Sequence, residues 1–258
     1  MSYHAPQFQI SLAQSHDDIQ AAQRLRYDVF VRELGGGGDM VDHDAQLEKD
    51  SFDLFAVHLL LRDLARPAED QVVGVYRLLT EDRAVDAGQF YCEDEFDLSV
   101  LKASGKRLLE LGRSCLHPDY RGGTAMMHLW CALADYVHRE KIDVMFGAAS
   151  FHGTDTQALA GPLSLLYHRH LAPTELRVTA TGPNAALMNL LPEDQIDRVL
   201  AMRDTPALIK AYLRLGGAVG DGAFVDHAFN TIDICLILAA DRVSTLQSNF
   251  YAKGNSRV

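Results

Sequence analysis

Four cysteines in 258 residues, Cys92, Cys115, Cys131 and Cys235, with no C-x-x-C pair among them, offer neither a disulfide framework nor a zinc knuckle. Cationic residues are in short supply too. The 24 Lys and Arg stand against 35 Asp and Glu, a formal net charge of −11, which argues against nucleic acid as the main partner because phosphate chains are bound through cationic side chains. No apolar run approaches the roughly 20 residues that cross a bilayer. The opening MSYHAPQFQISLAQ lacks the charged-then-apolar layout of a secretory signal, so the expected location is cytoplasmic. Internal repeats, low-complexity tracts and linkers are missing as well, which predicts one domain over residues 1–258 with no resident metal.

What is present reads as an α+β protein. Strand-like alternation in FQISLAQ leads to Ser15 and Asp18, spaced as a capping box, and the spacing predicts one long helix over 15–34. Residues 35–53 are polar and glycine-rich, the mark of a functional or mobile loop. FAVHLLLRD and QVVGVYRLLT come next as a hairpin around Arg66, Pro67 and Ala68. The strand RLLELGRSCLH, the helix TAMMHLWCALADYVHREK, the strand DVMFGAAS and the helix TDTQALAGPLSLLYHRH then predict a parallel pair joined by a crossover. LRVTAT, TPALIKAYLRLG and TIDICLILAA complete the pattern, with a mostly antiparallel first half.

Chemistry concentrates in LELGRSCLHPDYRGGT. Glu110 and Arg113 should point to opposite faces of a regular strand, so the chain must bend between them, and Gly112 is the expected place for a β-bulge. Glu110, flanked by Leu109 and Leu111, is a candidate base whose burial would raise its pKa; the plainer alternative is a solvated carboxylate at a strand edge. Arg77 and Arg113 each come after an apolar run, where an unpaired guanidinium is costly, and so predict carboxylate partners from the protein or a substrate. The HPDYRGG turn before a helix is a natural anion site; alternatively Gly122 and Gly123 only make the turn while Thr124 or Asp119 caps the helix. His168 and His170 lie two apart and share no helix face, which speaks against a metal site. Met126, Met127, Trp130, Leu133 and Ala134 have helical spacing, read as core packing or as the lining of an acyl tunnel.

The order of RLRYDVF, DSFD, GVYRLL, ELGRSCLHPDYR, FGAASFHGTD and GDGAFVDHAFNTIDICLIL resembles the bacterial ornithine-lipid synthases. The resemblance implies an L-ornithine N-alpha-acyltransferase with a GNAT-like fold, a mixed central sheet flanked by helices and a family-specific C-terminal segment at about 205–240. It implies no bound cofactor, and a 3-hydroxyacyl group delivered on the phosphopantetheine of acyl carrier protein. More distantly the chain is similar to acyl-homoserine-lactone synthases, whose pattern falls on Arg26, Phe30, Asp50, Asp53, Arg77, Glu110 and Arg113. Their tryptophan after the first helix has no counterpart, since Trp130 is the only tryptophan. Where GNAT enzymes carry small residues in the turn after the fourth strand, this chain has Thr124 and Met126, so a carrier-borne phosphate fits better than free acyl-CoA.

By this resemblance Glu110, Tyr167 and Arg113 are the catalytic candidates, with Glu110 as base and Tyr167 as the proton donor to the leaving thiolate. Arg26, Phe30, Asp50, Asp53 and Arg77 form the acceptor side; the arginines either hold the substrate carboxylate or order the loop through Asp50 and Asp53. Leu116, His117, Arg121, Gly122, Gly123 and Thr124 form the donor side. An ornithine ammonium needs an acidic partner, for which Asp50, Asp53 and Asp226 are open choices. Arg24, Arg32, Lys102, Lys106 and Arg107 are candidates for docking the acidic carrier protein. A lipid product implies peripheral contact with the inner face of the inner membrane. Glutamine as acceptor, an acyl-homoserine-lactone synthase and a silent carrier-binding module are the competing readings.

Overall fold

The computed structural model describes residues 5–241. In chain order the elements are β1 (Phe8–Leu12), α1 (His16–Arg26), β2 (Val57–Asp63), β3 (Val72–Thr80), α2 (Glu81–Ala87), β4 (Phe96–Asp97), α3 (Ser99–Ala103), β5 (Leu108–Leu116), α4 (Ala125–Arg139), β6 (Val144–His152), α5 (Ala160–His170), β7 (Thr179–Ala180), β8 (Ala185–Ala186), α6 (Arg198–Asp204), α7 (Ala207–Arg214), β9 (Ala218–Val219), β10 (Ala223–Asp226) and β11 (Thr231–Ala239). The chain forms two compact units: the first takes in the chain to Gly88 and Leu111–Glu140, the second Gln89–Glu110 and the chain from Lys141.

In the first unit β1, β2 and β3 pair antiparallel, as the alternation predicts. The β2–β3 ladder shifts register between Leu61 and Arg62: Leu61 pairs with Gly74 and Arg62 with Val72, which leaves Val73, beside the glycine, as the extra residue of a bulge. β3 is buried along nearly its whole length, which is why VVGVYRLL reads as a continuous apolar run interrupted by Arg77. The Ser15–Asp18 capping box opens α1 as expected, with the Ser15 hydroxyl accepting from the Asp18 N–H and the Asp18 carboxylate accepting from the Ser15 N–H. The single helix expected to residue 34 is instead cut at Arg26, and Tyr27–Glu33 continues as a π-helix, with Leu34 N–H donating to Val29 five residues back. Such a widened turn has poorer backbone geometry and needs side-chain packing to hold it. Val29 and Phe30 supply some, resting in a cluster with Ala22, Leu25, Leu60, Val75 and Cys115.

In the second unit Leu108–Glu110 of β5 pairs parallel with Val144–Phe146 of β6, confirming the parallel pair. β6, β11, β10 and β8 continue antiparallel, so this sheet is mixed. Two expected elements shrink: LRVTAT keeps only Thr179–Ala180 as strand, and α5 begins at Ala160 because residues before it turn around Asp155, whose carboxylate accepts the N–H groups of Gln157 and Ala158. The sequence reading passed over α6 and β10. The signal for α6 was there: Asp197 is its N-cap, accepting from Val199 and Leu200 N–H. Among the described residues no helix is long and apolar enough to cross a membrane.

Candidate functional site

The first unit holds six charged side chains in a closed ring. Arg26, at the end of α1, donates through Nε to Glu48 and through Nη1 to Asp53 at 2.7 Å. Arg77, in the middle of β3, reaches Asp53 at 3.0 Å and Asp50 at 2.5 Å. Arg113 closes the circuit, with Nη2 2.9 Å from Asp50 and Nε 3.1 Å from Glu48. Each carboxylate therefore bridges two guanidiniums, and three positive charges meet three negative ones. Gln23 adds a hydrogen bond to the second Asp53 oxygen at 2.8 Å, and Asp50 also caps the 3-10 turn Ser51–Leu54 by accepting from Phe52 N–H.

Burial decides how this ring behaves. Arg26 is fully buried, Glu48 and Asp53 nearly so. Burial alone would raise the Asp53 carboxyl, but Arg26 and Arg77 outweigh it and hold the group far below the ordinary range. Burial likewise opposes ionisation of Glu48 and Asp50, and in each case two arginines overcome it: Arg113 and Arg26 for Glu48, Arg77 and Arg113 for Asp50. All three carboxylates are thus held ionised. Of the two roles the sequence left for these arginines, the geometry favours ordering the loop, since their charges are already met by the protein. Sequence reasoning missed Glu48 and Gln23, although Glu48 lies two residues before Asp50 and Gln23 one helical turn before Arg26.

The bend in β5 falls at Arg113, whose φ of +51° lies in the left-handed region, and not at Gly112, which has no positive φ. The positive φ lies one residue beyond Gly112, around which the bulge was expected. A non-glycine residue there costs roughly 1–2 kcal/mol, offset here by the ring contacts of its guanidinium. A Cβ at Gly112 would stand 3.8 Å from Arg77 Nε, an ordinary contact distance, so the Arg77 guanidinium passes beside this residue.

Glu110, in the second unit, is buried, and both oxygens accept backbone N–H groups: Oε2 from Tyr91 at 2.9 Å and Oε1 from Cys92 at 2.7 Å. The strand-edge alternative does not apply. Tyr167 is half-buried on α5, edge-on to His168 at 5.3 Å, and its hydroxyl has no hydrogen-bond partner among the described residues. His168 is bonded to the Leu191 carbonyl at 3.0 Å, a structural role. Asp226 stands with Glu95 and Asp233, their carboxylate oxygens within 4.8 Å of one another. Among the acidic residues offered for an ammonium, Asp226 alone lies outside the arginine ring.

The turn after β5 returns to the first unit. His117 N–H donates to Val73 O at 2.9 Å, and the His117 ring accepts the Asp119 N–H at 3.3 Å, its pKa lowered by burial and by Arg66. Arg121 forks onto Glu33 at 2.5 and 2.7 Å and also donates to the Leu116 carbonyl. Gly122 has φ +75°, Gly123 comes next, and α4 starts after Thr124, whose side chain makes no cap. Thus neither alternative capping residue closes the helix: Asp119 sits within the preceding 3-10 turn Pro118–Tyr120. The first N–H groups of α4 keep the anion-binding character of an uncapped helix start.

Residues 25–131 match the acetyltransferase (GNAT) domain family. The chain is 53% identical over 248 residues to the L-ornithine N(alpha)-acyltransferase of Rhodobacter capsulatus, covering 95% of each chain. It is 41% identical to the enzyme of the same name from Brucella abortus, over 96% of this chain and 90% of that one. Among solved structures, FeeM, an N-acyl amino acid synthase from uncultured soil microbes, superposes with a TM-score of 0.55 at 12% identity, covering 95% of this chain and 98% of that one. The coenzyme-A-dependent acyl-homoserine lactone synthase BjaI reaches 0.53 at 15% identity, over 94% and 89% of the two chains. These two show a shared fold, the α+β acyltransferase architecture expected from the sequence.

Proposed function

Because the chain belongs to the L-ornithine N(alpha)-acyltransferase family, we propose that it transfers a 3-hydroxyacyl group from the phosphopantetheine thioester of acyl carrier protein to the α-amine of L-ornithine, forming lyso-ornithine lipid. The observation that carries this reading is the 53% identity sustained over 95% of both chains.

An α-ammonium is no nucleophile, so a proton must leave before attack. Glu110 is the base: it is held in place by the Tyr91 and Cys92 amides, and a carboxylate oxygen retains lone pairs beyond one hydrogen bond. The freed amine adds to the thioester carbonyl. On collapse the C–S bond breaks and Tyr167, whose hydroxyl is uncommitted among the described residues, protonates the thiolate, while the second proton of the nitrogen passes to the tyrosinate so formed and Glu110 returns its proton to water. The amide and a free phosphopantetheine thiol leave. Arg113 acts here by bending β5 and closing the ring, which orders the loop carrying Asp50 and Asp53; Arg26, Phe30 and Arg77 support that loop.

For the acceptor's δ-ammonium, Asp50 and Asp53 are each shared by two arginines, which favours Asp226 with Glu95 and Asp233. The donor's phosphate is assigned to the turn Leu116–Thr124 and the start of α4. For the acidic carrier protein, Arg32 and Lys102 are partly engaged by Asp28 and Glu93, whereas Arg24, Lys106 and Arg107 are exposed and form no ion pair among the described residues. The enzyme works on the cytoplasmic side, with peripheral contact at the membrane that receives its lipid.

The test is mass spectrometry of products after incubating the protein with 3-hydroxyacyl carrier protein and a mixture of ornithine, glutamine, lysine and S-adenosylmethionine. The ornithine amide is expected. An amide of glutamine alone would overturn the acceptor assignment, and an intact thioester with no amide would overturn the reaction.

A further inference from the structure

Two consecutive side chains fasten the turn after β5 to different parts of the first unit. Arg121 holds Glu33 at the end of the π-helix, whereas Tyr120 points to the end of β2, where its hydroxyl donates to Asp63 at 2.6 Å. Asp63 is only 4% exposed. Its other oxygen accepts Gln7 N–H at 2.8 Å and Ala65 N–H at 3.0 Å, so the carboxylate is itself fixed by the backbone on either side of the β2 end. The Tyr120 ring is packed from three directions: Phe8 at 5.9 Å, the His117 ring edge-on at 5.8 Å, and the Arg66 guanidinium at 6.0 Å. This is a built latch between a buried carboxylate and the residue two before Gly122.

The latch sits immediately before the glycine pair and the start of α4, and that placement gives it leverage. A phosphate at a helix start is held mainly by backbone N–H groups, so affinity depends on the direction of the peptide planes. Gly122 and Gly123 give those planes little intrinsic preference, and Thr124 adds no cap. The direction must come from the residues just before the glycines. We infer that Tyr120 is a positioning residue for the acyl donor, acting through its hydrogen bond to Asp63 to aim the turn at the donor's phosphate. This rests on the assignment of that turn to the donor.

Three variants test it in steady-state assays with 3-hydroxyacyl carrier protein and ornithine, each checked by thermal unfolding. Tyr120→Phe keeps the ring packing and removes the hydroxyl; a rise in the donor KM on the order of tenfold, the scale of one lost hydrogen bond to a charged group, is expected. The ornithine KM and kcat should stay within about twofold. Asp63→Asn, which keeps an acceptor for Gln7 and Ala65, should move the donor KM in the same direction, and adding Tyr120→Phe to it should bring little further change. Gly122→Val serves as the reference for the turn itself, since valine disfavours the left-handed backbone there.

A raised donor KM in Gly122→Val with none in Tyr120→Phe would overturn the latch and leave the donor turn standing. An unchanged donor KM in Gly122→Val would overturn the donor turn and the latch together. Equal increases in both KM values for Tyr120→Phe, or a lowered melting temperature with unchanged kinetics, would reduce Tyr120 to a structural role and overturn the inference.

Discussion

Replacing Glu48 with glutamine changes one atom and unbalances six charges. Glu48 bridges Arg26 and Arg113. Neutralising it leaves three guanidiniums facing two carboxylates, with Arg26 fully buried. Removing one partner of a buried ion pair costs about 3–5 kcal/mol, because the remaining charge stays desolvated. Against a total stability on the order of 5–15 kcal/mol, that loss is large. For a chain of this size each kcal/mol lowers Tm by about 2–4 °C, which places Glu48→Gln roughly 6–20 °C below the parent in a circular-dichroism melt. Adding Arg113→Met restores two charges against two, and the double variant should recover much of the loss. A Tm shift below about 2 °C for Glu48→Gln, or a double variant less stable than the single, would refute the idea that the ring's balance holds this unit together.

Three more outcomes are expected from the same geometry. The carboxyls of Glu48, Asp50 and Asp53 are all depressed in the folded protein, so their contribution to stability is complete above the unfolded carboxyl pKa near 4 and is lost as pH falls below it; urea midpoints between pH 6 and pH 2 should decline more steeply in the parent than in Glu48→Gln. Glu110→Gln should lower kcat by about 10²–10⁴ with a folded protein, and full retention of turnover would remove Glu110 as the base. Asp226→Asn should raise the ornithine KM roughly ten- to a hundredfold while leaving the donor KM alone, a split that titration of each substrate would reveal.

Much of the scaffold was legible because its signals are local. The runs in β2, β3, β5, β6 and β11 are long and apolar, and the Ser15–Asp18 box marks a helix start by spacing alone. The π-helix was not, since apolar spacing over Tyr27–Glu33 does not distinguish a bond to the fourth residue back from one to the fifth. At the site, buried cations on apolar strands pointed to Arg77 and Arg113, and their carboxylate partners were anticipated. Glu48 escaped because a glutamate in a polar loop looks solvated, and its bond to Arg113 spans 65 residues of sequence. The bend was expected around Gly112 because Glu110 and Arg113 would otherwise point to opposite faces; the left-handed φ itself falls on Arg113, whose guanidinium makes the ring contacts. Tyr120 and Asp63, 57 residues apart, carry no pattern that links them.

The bond between Arg26 and Glu48 spans 22 residues and acts as a crosslink made of charge, clipping the base of the glycine-rich loop as a disulfide would, but with pH in place of redox as its release. Chain entropy then governs what the clipped segment tolerates. Closing a longer flexible loop costs only about 0.6 kcal/mol per doubling of length. Gly35–Gly38 lies inside the clip and outside the ring, so residues added there would lengthen a tether whose two ends are already fixed. The loop can vary in length while the side chains that hold it keep their places.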